Sequence, residues 1–473
     1  MSLPPPLPDL IIASPVAKNR HYRWYRAMTR IQIPSWLFVT VAMIWALGIL
    51  AGYLFSDDQL DKESEKIALH AWDRTLRVND ALKDAPDWQK WMLNYDDTPD
   101  TLEMAADSFS LLAEEKLLGK KGELAFAIMK RELGEKSDLE RGRTWQQKAF
   151  DHQPLNPKQW QRWQLDLDDG KVTWWDLQLV KSYAASTKDQ RFLDEVEREN
   201  QKTKSSMSMA AYAYAAVWAL VILGLMLLRP AWRQVRSLLR QRKMDQRFHY
   251  PLHWSLKFVF TLFFLSEIFA DEISSRLQIL HLSFEEEFLP SVINDTIWRM
   301  IPALLMMGVL FRHPKVLIEQ FGLNQKPRWP LILAVFALLS LFDPMLSSLI
   351  DASGSIDPTL GIDPMENGWR GLCYGLLSAC VMAPVMEELI FRGFLMNPLL
   401  RKWGFWIAAF VTTLLFAISH YYDLYGTISV GLFGFSAAAI YYLTRSLTNT
   451  IILHVIYNFT ITLPVWLIFH HQA

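Results

Sequence analysis

Two adjacent carboxylates, Glu387 and Glu388, interrupt the apolar run 383–395, and Arg392 follows Glu388 by one helical turn. The flanks are hydrophobic enough for a bilayer, where an ionised side chain costs roughly 2.5–3.5 kcal/mol on insertion scales. Charges so close together in such a run ask for a chemical reason. Two more polar groupings follow, Phe416-Ala-Ile-Ser-His420 and His454-Val-Ile-Tyr-Asn458, each in or at the edge of an apolar span. A carboxylate and an imidazole at hydrogen-bond range share the work of deprotonating water. A second imidazole and an Asn amide are suitable donors to a developing oxyanion. Arg392 can hold Glu388 ionised through a bidentate pair, leaving Glu387 free to act. These residue types describe water attack on an amide carbonyl inside a membrane cavity.

The same atoms admit other readings. Glu387, His420 and His454 would make a three-ligand zinc site with an open position. The His-Glu-x-x-His pattern of helix-borne zinc pairs is absent. Glu388 and Arg392 alone would be a structural salt bridge. His420, ahead of Tyr421 and Tyr422, would be an interfacial residue beside an aromatic belt. His454 with Asn458 would be hydrogen-bond glue between helices.

Helices must bring these groups together. The chain turns near Trp403-Gly404, so Glu387 lies about 16 residues before the turn and His420 about 16 after it. An antiparallel hairpin therefore predicts both at one depth. Pro398, Arg401 and Lys402 fit poorly in lipid, so the 396–404 hairpin is expected to protrude. His454 and Asn458 are four apart and share a helix face. Between them and His420, Gly431-Leu-Phe-Gly434-Phe-Ser436-Ala437 supplies small residues that let helices approach closely.

Composition agrees with a membrane setting. Of 473 residues 51% are hydrophobic and 13% aromatic, in clusters, and the net charge of −1 gives no electrostatic case for nucleic acid. The expected fold is an all-α polytopic membrane protein of about nine transmembrane helices, with a soluble α-helical insert between the first two. A Pro-rich, basic tail (1–34) precedes a retained signal-anchor (35–55). A charged stretch (56–206) is the insert, with Leu111, Leu112, Leu117, Leu118, Leu124 and Ile128 at helical spacing and tryptophans as core. The second span (207–228) leads into a basic loop (229–251), and residues 252–473 form the membrane-embedded core. Its spans are expected at 252–270, 297–311, 329–350, 369–395, 405–419, 427–443 and 449–469, with Asp343-Pro344 marking a break. Arg and Lys cluster in alternate loops, from Arg229–Arg247 to Arg312–Arg328, Arg401-Lys402 and Arg445. Asp271, Glu285–Glu287, Asp351, Asp357, Asp363 and Glu366 occupy the others. The orientation rule then puts the N-terminus in the cytoplasm and 56–206 outside it. Glu267 reads as interfacial, Tyr457 as packing, and His470 and His471 as a solvated tail. Cys373 and Cys380, seven apart, are expected on one helix face as packing residues, with no disulfide framework.

Glu387-Glu388-x-x-x-Arg392, Phe416-x-x-x-His420 and His454-x-x-x-Asn458, in this order on apolar spans, resemble the signature of the CPBP family. These are the CAAX-processing and bacteriocin-processing (Abi) intramembrane endopeptidases. The resemblance covers roughly residues 330–470 and implies a membrane-embedded helical core with a hydrolytic site. It puts Glu387 at the position of the catalytic glutamate that activates water with His420, and His454 and Asn458 at the oxyanion positions. Family members are described both as zinc enzymes and as metal-free, so the zinc alternative stays open beside a reading without cofactor. The front of the chain lies outside the motifs, so substrate choice does not carry over from prenyl-protein processing. The expectation is an intramembrane endopeptidase acting on a membrane-associated protein or peptide. Lipid and that substrate are its partners, with a further protein partner for 56–206. The alternative from another class is a non-catalytic membrane scaffold or immunity factor on the same fold. A secondary transporter would need an inverted repeat, and none is visible.

Overall fold

The computed structural model describes residues 30–93, 95, 100–134, 158–159, 161, 173–188, 190–244, 254–281, 288–311, 314–350 and 368–469. The expectations for 1–29, Arg247, Glu285–Glu287, Arg312, the acidic loop 351–366 and the histidines 470–471 lie outside these. Among the described residues every regular element is helical. The order is α1 (Ser35–Lys83), α2 (Asp87–Met92), α3 (Asp100–Glu114), α4 (Lys120–Glu132), α5 (Trp174–Thr187), α6 (Gln190–Met226), α7 (Leu228–Met244), α8 (Leu256–His281), α9 (Phe288–Leu310), α10 (Pro314–Gln320) and α11 (Trp329–Leu349). Then come α12 (Gly368–Leu377), a π turn (Ser378–Met382), α13 (Ala383–Glu388), a second π turn (Leu389–Leu395), α14 (Met396–Ile418), α15 (Leu424–Thr444) and α16 (Leu447–Phe469).

Among the described residues six helical stretches are long and apolar enough to cross a membrane: Gln190–Met226, Phe288–Leu310, Trp329–Leu349, Gly368–Ile418, Leu424–Thr444 and Leu447–Ile468, with a shorter apolar stretch at Ser35–Ala51. The chain is thus an all-α, multi-pass membrane protein. Several spans turn large apolar side chains outward, among them Phe342, Trp406 and Phe410, as lipid-facing helices do. Two of the expected spans, 369–395 and 405–419, belong to one stretch, folded at Gly404, whose φ of 76° needs a residue without Cβ. The expected turn is therefore in place. Its approach differs: 396–400 is buried helix rather than a protruding loop, and Arg401 donates to the Trp254 carbonyl at 2.8 Å. The span expected at 297–311 starts at Phe288 and continues through Pro302. Likewise α11 runs through Pro344, and Asp343 accepts from Tyr425 at 2.9 Å and Ser429 at 2.6 Å on α15.

Contacts divide the chain into two compact units. One comprises described residues of Gly52–Leu220, Ser353–Leu377 and Asn458–Ala473. Here Ala105, Ala106 and Phe109 of α3, Ala125, Ile128 and Met129 of α4, and Trp174, Trp175, Leu179 and Tyr183 of α5 close a buried core. A capping box starts α5, with Thr173 and Asp176 satisfying each other's backbone N–H. Asp80 of α1 accepts from the Trp174 indole at 2.7 Å and from Gln178 at 3.3 Å. The leucine spacing read across 111–128 is broken between Glu114 and Lys120, and Leu111 is exposed. Trp174 and Trp175 are core as expected, while Trp88 and Trp91 are exposed.

The other unit comprises described residues of Met1–Ala51, Val221–Ala352 and Ser378–Tyr457. Phenylalanines knit its centre: Phe391 meets Phe263 at 5.9 Å and Phe416 at 5.1 Å, and Phe394 meets Phe311 and Phe321. The start of α16 is pinned by three bonds, Leu447 N to the Phe321 carbonyl, Ser446 to the Gly322 carbonyl, and Arg328 N to Asn449. Those bonds fix where His454 stands, two turns further on.

Candidate active site

Local sequence shapes the glutamate helix. Pro384 lacks an N–H, and its ring crowds the carbonyl four residues back. The wider π turn at Ser378–Met382 gives room ahead of it, and a second π turn takes in Arg392. Such turns advance the phase of everything downstream. Cys373 is exposed and Cys380 buried, so the shared packing face expected of residues seven apart is not found.

The phase buries Glu388 and Arg392, at 0% and 1% exposure, and leaves Glu387 partly accessible at 21%. Arg392 Nη1 donates to Glu388 Oε1 at 3.0 Å, and its Nη2 donates to the Gly434 carbonyl at 2.9 Å. Its guanidinium lies 4.6 Å from the centre of the Phe416 ring. Gly434 permits this approach: a Cβ there would sit 3.1 Å from Phe416 and 3.3 Å from Arg392 Nη2. The small-residue expectation for this span therefore has a specific object at Gly434. At Gly431 a Cβ would meet nothing within 4 Å.

His454 connects the two carboxylates. Its Nδ1 lies 3.1 Å from Glu388 Oε1 and its Nε2 3.7 Å from Glu387 Oε2. A carboxylate only accepts, so Nδ1 carries a proton toward Glu388, and Nε2 is the atom that faces Glu387. Phe433 and Phe416 pack around the ring at 4.5 and 6.0 Å. Glu387 Oε2 is buried and has no hydrogen-bond partner, so it is free to take a proton.

His420 sits at the end of α14. Its Nδ1 lies 2.6 Å from the Phe416 carbonyl. A carbonyl accepts, so Nδ1 donates and Nε2 holds the lone pair of the neutral ring. Glu387, His454 and Arg299 lie within electrostatic range of this imidazole. The structure thus brings Glu387, Glu388, Arg392, His420 and His454 together. Asn458 follows His454 by one turn on α16 and is partly buried.

Asp295 and Arg299 escaped the sequence reading, and Glu267, read there only as interfacial, was not tied to the site. Glu267 is within electrostatic range of Glu387. It stands one turn beyond Phe263, and Glu387 one turn before Phe391, the ring that Phe263 touches. Asp295 and Arg299 pair at 2.8 Å inside α9, and Ser378, at the first π turn, donates to Asp295. Taking the span to begin at 297 left Asp295 in a loop. Counting every ionisable residue between apolar runs would have flagged Asp295 and Arg299. Among the described residues no group of three or more His, Cys, Asp and Glu side chains is arranged to hold a metal ion. The set named for zinc does not fit one as it stands.

Residues 369–460 match a family model, Rce1-like, described as Type II CAAX prenyl endopeptidase Rce1-like. The match spans about a fifth of the chain and contains all six motif residues. It agrees with a CPBP-type core in the C-terminal region and relates that region to a family of membrane peptidases. No curated protein and no solved structure shows significant similarity to the chain.

Proposed function

From an Rce1-like segment that holds the glutamate pair and both histidines, we propose that this protein is an intramembrane endopeptidase. It hydrolyses a peptide bond of a membrane-associated protein or peptide. The observation that carries this reading is the unequal use of the two carboxylates. Glu388 is fully buried and committed through one oxygen to Arg392 and His454, while Glu387 is partly accessible and has no hydrogen-bonded partner on the oxygen that faces the His454 imidazole. In the reaction Glu387 takes a proton from water, with Nε2 of His420 assisting. The hydroxide attacks the carbonyl carbon. His454 and the Asn458 amide meet the oxyanion, and Glu387 returns its proton to the leaving amine. Glu388 aligns the His454 ring and stabilises its positive charge when protonated, as the carboxylate does in a Ser-His-Asp triad. No step calls for a metal.

Purified protein carrying Glu387→Gln should stay folded in detergent and lose peptidase activity on membrane-peptide substrates. Full retained activity would sink the assignment and favour a scaffold. Wild-type activity should also survive a zinc chelator; its loss, restored by added zinc, would favour the metal-dependent alternative. We further infer that 56–206 lies outside the cytoplasm and recruits a substrate or protein partner.

A further inference from the structure

A cavity of about 460 Å³ opens where α7 passes the turn into α11, lined by Gln234 and by residues 325–330. That volume is in the range of small-molecule sites. Lys326 and Arg328 contribute two cations, and no acidic residue lines the cavity. The carbonyl oxygen of the Gln234 side chain is buried with no hydrogen-bond partner. The cavity therefore offers positive charge together with an unmet acceptor. Its ligand should carry anionic oxygens and a hydroxyl or ammonium donor.

Location narrows the source. Trp329, half-exposed at the edge of the cavity, is the first residue of the apolar span α11, where Trp marks a membrane–water boundary. The helix that supplies Gln234 carries Arg229, Arg233, Arg236 and Arg240 at steps of four, three and four, all exposed on one face, and Arg236 lies 5.1 Å from the Trp232 ring. A basic, amphipathic helix directly after a span faces lipid head groups. We propose that this cavity binds the head group of an anionic glycerophospholipid, its phosphate between Lys326 and Arg328 and a head-group hydroxyl on Gln234. The proposal does not depend on the hydrolytic reading.

The test uses full-length protein in detergent and calorimetric titration. The probes are dihexanoyl phosphatidylglycerol, dihexanoyl phosphatidylcholine and inorganic phosphate. Phosphatidylglycerol should bind, with phosphatidylcholine and inorganic phosphate at least about tenfold weaker. Lys326→Ala/Arg328→Ala should weaken it about thirtyfold, each cation near a membrane surface contributing about fivefold. The lipid-free melting temperature should not move, which separates lost binding from lost folding. Gln234→Leu should weaken phosphatidylglycerol while leaving dihexanoyl phosphatidic acid, which lacks the head-group hydroxyl, unchanged. Wild-type affinity in the double variant would overturn the proposal. So would loss of binding only when the four α7 arginines are replaced by Gln, which would assign it to the helix face. Equal affinity for inorganic phosphate would point to a soluble anion and overturn it too.

Discussion

At Glu388, one oxygen serves two partners, Arg392 at 3.0 Å and His454 at 3.1 Å. All three side chains are almost fully buried, so removing one leaves a charge without compensation. Breaking such a pair costs about 3–5 kcal/mol. Arg392→Leu is therefore expected to lower stability in detergent by that order, read as a large drop in melting temperature, and to abolish activity. Arg392→Lys keeps the charge but not the fork that reaches both Glu388 and the Gly434 carbonyl, and should recover stability only in part. Glu387→Gln should lose activity with little change in melting temperature. The contrast separates a carboxylate that reacts from one that holds its neighbours.

Elements matter because the site is assembled by helix phase and close approach. A Val at 434 would drive a side chain into Phe416 and Arg392, where even a Cβ is tight. Gly434→Val is expected to cost about 1–3 kcal/mol by overpacking, seen as a lower melting temperature, and to reduce kcat by displacing Arg392. Gly431→Ala, where space is open, serves as the control. In the insert, burial pushes the Asp80 carboxyl above the usual carboxylate range despite its bonds to Trp174 and Gln178. Asp176 shifts the same way, again chiefly through burial. A carboxyl with a raised folded-state pKa binds its proton more tightly when folded. Its stabilising contribution is complete below the unfolded value and is lost as pH rises through the folded one. Asp80→Asn should flatten the acid end of the insert's stability–pH curve and leave the melting temperature near pH 7 equal or higher. Thermal melts between pH 4 and pH 7 measure this.

For the whole molecule, alternating loop charge leads to one orientation. Protease added outside sealed, right-side-out vesicles should cleave within 56–206 and spare the basic stretch at 229–247. The reverse pattern would invert the topology and move the proposed lipid site to the other leaflet. Depth bears on the proposed function as well: Glu387 lies on a helical stretch apolar enough to span a membrane rather than in a soluble cleft, so under that proposal access to a peptide bond is set by what enters between helices. The polar pairs Asp295–Arg299, within α9, and Asp343–Tyr425, joining α11 to α15, belong to the same unit. They show that this interior tolerates charge where partners are provided.

Much of the site was legible in the residues themselves. Charge inside an apolar span is expensive, so Glu387, Glu388, Arg392, His420, His454 and Asn458 stand out without any coordinates. Hydropathy marked most of the apolar helices, though six stretches rather than about nine qualify as spans among the described residues, and the positive φ at Gly404 falls where the turn was expected. Partnership was another matter. Periodicity gave Glu388 to Arg392 but could not show His454 reaching both glutamates. Nor could it bring Glu267 within electrostatic range of Glu387 or put Asp295 inside a helix. Those relations depend on two π turns around Pro384, on a glycine that lets Arg392 close on a neighbouring carbonyl, and on bonds that set the start of α16. Residue type and spacing determine which groups can react and at what depth. Rotation about each helix axis decides which of them meet, and packing between distant segments sets that rotation.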